Sequence, residues 1–145
     1  MSFLDKVKSA AGVGAASIQV DINQRPSKRG DELVALIRVL PGKTAQRMNF
    51  LGVNVEWEGD WSYKNADGST IEVRDGRGYV LLDRPANCQG VTLQPGGPSI
   101  EVPVRVKIPS DAPLTGEKLK WKLYTRADIA EGADPEWSTQ LEIRG

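Results

Sequence analysis

The chain contains no histidine. That removes the imidazole from every serine or cysteine triad that depends on one, and from every metal site built on histidine ligands. Carboxylates and lysines remain as acid–base groups, but no motif gathers them, and no catalytic residue, cofactor or metal is expected. Cys88 is the only cysteine. No intramolecular disulfide can form, as in proteins of a reducing cytoplasm. A reactive thiol needs an electropositive setting. Cys88 has Arg84 near it, but also Pro85 and a Gln-Gly turn, and reads as structural. Excess charge of one sign is also missing, since 19 Lys and Arg balance 19 Asp and Glu. Nucleic-acid binding draws on a basic face, which a neutral total does not support. No apolar run approaches the ~18 residues a spanning helix needs, so stable membrane insertion is not expected.

What is present suits one folded domain. A chain of 145 residues buries roughly 70% of its unfolded surface without a disulfide or metal staple. The opening "MSFLDKVKSAAGVGAASIQVDI" changes character midway. Ser2 can cap a short helix to about Ala11, with Asp5 placed to reach back as in a capping box. Phe3, Leu4 and Val7 share one face of it, and Gly12 and Gly14 end it. Asp5, Lys6 and Lys8 interrupt any signal-peptide core. Residues 1–14 are read as helix and join, and residues 15–145 as the main domain.

From Ala16 the period becomes two. "SIQVDI" puts Ile18, Val20 and Ile22 on one face. "DELVALIRVL" is apolar on both faces, which predicts a central strand. "MNFLGVNVEWEGDWSY" follows, then the hairpin turn "KNADGS". "TIEVR" and "YVLLD" flank "DGRG", read as a further turn. "IEVPVRVKIP" alternates cleanly, and Pro103, which cannot donate a ladder hydrogen bond, predicts an edge strand or bulge. "EKLKWKLYTRADI" sends Leu119, Trp121 and Leu123 inward and Lys118, Lys120 and Lys122 outward. "WSTQLEI" closes the chain. About seven or eight antiparallel strands joined by Gly/Pro turns make an all-β sandwich of immunoglobulin-like character.

The stretch "SIEVPVRVKIPSDAPLTGEKLKWKLYTRADIAEGADPEWSTQLEI" resembles the SpoOM family of bacterial sporulation-control proteins. The similarity lies in a strand ending "IP", then "APLTG", "LKWKLYTRADIA" and "GADPEW". The opening segment and "RGDELVALIRVLPGK" also resemble that family's start and second strand. The resemblance implies an arrestin-like β-sandwich. It also implies a cytoplasmic, non-catalytic scaffold or regulator that binds other proteins or a second copy of itself. Family members usually carry two such lobes, and this chain spans what looks like the first. A binding mode that uses a cleft between lobes is therefore not expected of it, unless a dimer rebuilds the cleft.

Several residues are candidates for contact. A helix of about ten residues is marginal in water unless its face packs on something. Phe3, Leu4 and Val7 are expected to lid their own domain, with a partner contact or a membrane touch as alternatives. Trp57, Trp61, Trp121 and Trp137 are in principle a sugar-stacking set, which would make the chain a carbohydrate-binding module. Three of them fall in phase with inward aliphatics, so core packing is favoured, and Trp61 is the exposed candidate. Lys118, Lys120 and Lys122 form either a basic stripe for an anionic partner or an aggregation guard. Asp128, Glu131, Asp134 and Glu136 are read as solvated loop acids ahead of calcium ligands. "RGD" at Arg29–Asp31 is read as a local turn. A self-assembling structural subunit is the third functional reading.

Overall fold

A stretch whose apolar residues recur at every second position buries one face when it is extended, and two such sheets close a core between them. The computed structural model describes residues 14–145. The expected helix, with Phe3, Leu4 and Val7, lies outside them. Eight strands follow in order: β1 Ser17–Gln24, β2 Glu32–Leu40, β3 Gln46–Lys64, β4 Thr70–Asp83, β5 Val91–Leu93, β6 Ile100–Lys107, β7 Leu119–Ile129 and β8 Glu136–Leu141. A single 3-10 turn, Ala86–Cys88, precedes β5. The smaller sheet is ordered β1-β2-β6 and the larger β4-β3-β7-β8, with β5 paired to the first part of β3. All these pairings are antiparallel. This is the all-β, immunoglobulin-like sandwich that the pattern predicts, in the arrestin-like form that the family resemblance implies.

The inward residues behave as their alternation demands. Leu33, Ala35, Ile37 and Val39 of β2 are buried, and Val34 and Leu36 behind them are half-buried. β2 is indeed the middle strand of its sheet. Pro103 lies on β6, which among the described residues pairs with β2 alone and is an edge of its sheet. The phase of β3 changes between Met48 and Leu51, both fully buried, because a bulge separates the pairs made by Met48 and Phe50. Trp121, Leu123 and Leu119 of β7 complete the core. Each such side chain contributes roughly 1.5–3 kcal/mol of apolar burial. The Trp121 indole N–H donates to the Pro113 carbonyl at 2.8 Å, tying the "APLTG" loop to the core. On the outer face of the smaller sheet, Arg38 bridges Asp21 and Glu101.

"DGRG" is not a turn. It lies inside β4, and the strand runs on through a bulge where Asp75 takes a φ of 50°. The Asp75 N–H donates to Asp60 on the opposite strand at 2.7 Å. Gly78 answers to Trp57, and Gly76 first to Val73. A Cβ at Gly78 would lie 2.5 Å from indole atoms of Trp57, and one at Gly76 would lie 2.5 Å from Cγ1 of Val73 and 3.2 Å from the Trp57 ring. A mid-strand glycine here marks the close approach of a neighbour. The turn at "KNADGS" does form. The Asn65 N–H donates to Ser69, and the Asp67 carboxylate accepts both the N–H and the hydroxyl of Ser69.

Candidate functional site on the outer face of the larger sheet

Because β7 alternates, burying Trp121 and Leu123 forces Lys120, Lys122, Tyr124 and Arg126 outward. Register then decides their company. Glu58 of β3 stands opposite Lys120, Glu56 opposite Lys122, Asn54 opposite Tyr124 and Gly52 opposite Arg126. Lys122 Nζ is 3.4 Å from Glu56 and 5.2 Å from the centre of the Tyr124 ring. Lys120 Nζ donates to the Gly116 carbonyl. Arg77 of β4 reaches Glu58 at 3.8 Å. Lys118, Lys120 and Lys122 line one concavity of about 350 Å³ together with Glu56, Glu58 and Gln140. Lys122 is thus paired across the strands, whereas Lys118 and Lys120 make no ion pair among the described residues, and the concavity sets three ammonium groups against two carboxylates. Exposed pairs of this kind are worth about 0–1 kcal/mol.

Trp61 lies where β3 and β4 run on as a two-stranded ribbon beyond the last β7 pair at Gly59. It is half-buried. Trp57 meets it edge-on at 5.8 Å, and Tyr63 lies tilted over it at 5.0 Å. Its indole N–H is buried without a hydrogen-bond partner. The aromatic residue more open to solvent on this ribbon is Tyr63, at 42%. Phe3, Leu4 and Val7 fall outside the described residues and are not placed against either feature.

Asp128, Asp134 and Glu136 are engaged locally. Asp128 accepts from Asn49. Asp134 accepts from the Ile129 N–H and pairs with Arg126 at 3.3 Å. Glu136 accepts the Tyr124 hydroxyl. Burial, followed by this carboxylate neighbour, raises the pKa of Tyr124. Among the described residues no His/Cys/Asp/Glu group could hold a metal ion. Asp31 of "RGD" accepts from the Ser27 N–H and hydroxyl and from the Lys28 N–H, so the tripeptide builds its own turn. These bonds, the Ser27 N–H first, lower the Asp31 pKa. Cys88 is fully buried, and burial pushes its thiol up to about 11. It is a poor nucleophile.

One part of this face went unread in the sequence. Gly52, without a side chain, floors a cavity of about 390 Å³ walled by Phe50, Asn54, Leu82, Arg84, Tyr124 and Arg126, with Asp83 at its rim. The Arg84 guanidinium lies 3.9 Å above the Phe50 ring, and the buried Thr125 hydroxyl donates to the Gly52 carbonyl at 2.9 Å. An isolated glycine in a strand pattern was the available signal. Beside the cavity, Tyr79 and Leu82 of β4 are 62% and 59% exposed.

A family model described as "SpoOM protein" matches residues 4–145. The sporulation-control protein spo0M of Bacillus subtilis (strain 168) is 26% identical over 137 residues, covering 92% of this chain and 48% of that protein. The chain thus spans about half the length of this curated relative. The crystal structure of Spo0M from Bacillus subtilis matches with a TM-score of 0.61 at 20% identity, over 92% of this chain and 51% of that one. That likeness is one of fold. No helix among the described residues is long and apolar enough to cross a membrane.

Proposed function

The chain belongs to the SpoOM protein family, and from that premise we propose that it is a non-catalytic, protein-binding scaffold or regulator of the cytoplasm, acting in sporulation control as its relative's name describes. The observation that carries the reading is Tyr79 and Leu82, largely exposed on β4, an edge strand of the larger sheet. Apolar side chains beside a free strand edge are what a partner's loop or strand takes up. Glu56 and Glu58 nearby are paired with Lys122 and Arg77, so desolvating these pairs on contact costs less than desolvating isolated ions.

The test is affinity capture from the native lysate, with the full chain and a Tyr79→Glu/Leu82→Glu variant as baits. A specific partner held by the first and lost by the second supports the reading. Recovery of the chain alone points to self-assembly. A turnover activity in the pure protein, abolished by one carboxylate substitution, refutes a non-catalytic role.

A further inference from the structure

The outer face of the larger sheet carries two unlike rows side by side. β3 presents Gly52, Asn54, Glu56 and Glu58, and β7 presents Arg126, Tyr124, Lys122 and Lys120 at the same levels. The first row is small and acidic, the second large and basic. The strands flanking them differ too. β4 sets Leu82 beside Asn54 and Tyr79 beside Glu56, and both are largely exposed. β8 sets the smaller or more polar Ser138 beside Tyr124 and Gln140 beside Lys122. The charges are only partly met within the chain. Lys122 pairs with Glu56 and Arg77 with Glu58, while Lys120 makes no ion pair among the described residues.

Such a face fits a copy of itself, because a two-fold interface brings one patch against the same patch. Take an axis parallel to the strands, above the line between β3 and β7. It lays β3 of each copy on β7 of the other and β4 on β8, and every residue keeps its level. Glu56 then meets Lys122 of the second copy, Glu58 meets Lys120, and Gly52, without a side chain, faces Arg126. Tyr79 and Leu82 come to lie over Gln140 and Ser138. An axis across the strands would instead set β3 on β3, acid on acid, and β7 on β7, base on base. Sheets stacked face to face keep their strands aligned within about 30°, as the first axis requires. Burial of Tyr79 and Leu82 supplies the affinity, and the charges fix the register.

We infer that the chain forms a two-fold dimer through the outer face of its larger sheet, with β3 of each copy on β7 of the other. The inference rests on the protein-binding reading and names a second copy as the occupant of this face. Sedimentation of the full chain over a concentration series tests it. The parent chain should dimerise, and more weakly as salt is raised. Glu56→Lys/Glu58→Lys makes both central rows basic, and Lys120→Glu/Lys122→Glu makes both acidic. Each variant alone should dimerise at least about tenfold more weakly. An equimolar mixture of the two should associate again, because every row then meets its opposite. Tyr79→Ser/Leu82→Ser, built into both, should weaken the mixed dimer, which a general attraction between an acidic and a basic protein does not require. Lys107→Glu, on the smaller sheet, should dimerise as the parent chain does. Circular dichroism and melting verify that each variant is folded, and Glu58→Gln is the milder change should a reversal not fold. A parent chain that stays monomeric, a dimer that survives both reversals, or a mixture that fails to associate or ignores Tyr79→Ser/Leu82→Ser overturns this interface. The protein-binding reading is judged separately, by whether the lysate yields a different partner that Tyr79→Glu/Leu82→Glu loses.

Discussion

Gly52 and Gly78 occupy adjacent strands of one sheet, yet replacing each by alanine should move stability in opposite directions. At Gly78 the new methyl would lie 2.5 Å from Cε2 and Cζ2 of Trp57 and 2.6 Å from its Nε1. These are atoms of a rigid ring, not the end of a flexible chain. Trp57 must rotate away, giving up its edge contact with Trp61, or β3 and β4 must separate. Overpacking of this sort costs about 1–3 kcal/mol. At Gly52 the methyl meets the Arg126 carbonyl oxygen at an ordinary 3.9 Å and reduces the freedom of the unfolded chain, a gain of about 0.4–1 kcal/mol. Urea unfolding followed by tryptophan fluorescence measures both. For a chain of this size, about 2–4 °C of melting temperature accompanies each kcal/mol, so Gly78→Ala should melt roughly 2–12 °C lower. The native emission of Gly78→Ala should also shift, because Trp57 and Trp61 change surroundings. If Gly52→Ala is destabilised as much as Gly78→Ala, the contrast between a glycine that makes room for a ring and one that floors a cavity is wrong.

Other expectations follow from single contacts. Trp121→Phe loses the bond to the Pro113 carbonyl and leaves a void in the core, which should cost about 2–4 kcal/mol in urea titration. Thr125→Val removes the only buried polar side chain among the described residues, which serves the Gly52 carbonyl; a loss of about 1–2 kcal/mol is expected by the same assay. The Cys88 thiol should resist a thiol reagent at neutral pH and react once denaturant unfolds the chain. The unfolded thiol ionises near 9.0 and the folded one only at about 11, so its contribution is complete below pH 9 and is lost as pH rises through that window; Cys88→Ala should flatten the alkaline fall in melting temperature. Asp31, with its lowered folded pKa, works in the other sense. Its contribution is present above the ordinary value of 3.8 and is lost as pH falls, so Asp31→Asn should shrink the acid-side fall.

The alternation in β6 and β7 named the inward residues directly, because the side-chain period of a strand is two and one face is buried. The same alternation sent Lys118, Lys120 and Lys122 to one outward side. It did not reveal Glu56 opposite Lys122 and Glu58 opposite Lys120, since cross-strand register joins residues far apart in the chain. "DGRG" misled because Gly and Asp serve a turn and a bulge equally well; only Trp57, arriving from β3, distinguishes the two. Trp61 left the clean alternation as expected, but Trp57 and Tyr63 cover much of it.

By itself, then, the sequence determined the all-β class, the inward-facing residues and the turn at Asn65–Ser69, since each depends on local period or local turn chemistry. Its motifs also sufficed to point to the family. The tertiary structure alone decided the strand order, the carboxylates opposite Lys120 and Lys122, and the cavity over Gly52. The walls of that cavity come from β3, β7, the end of β4 and the residue after it, and only folding brings such segments together.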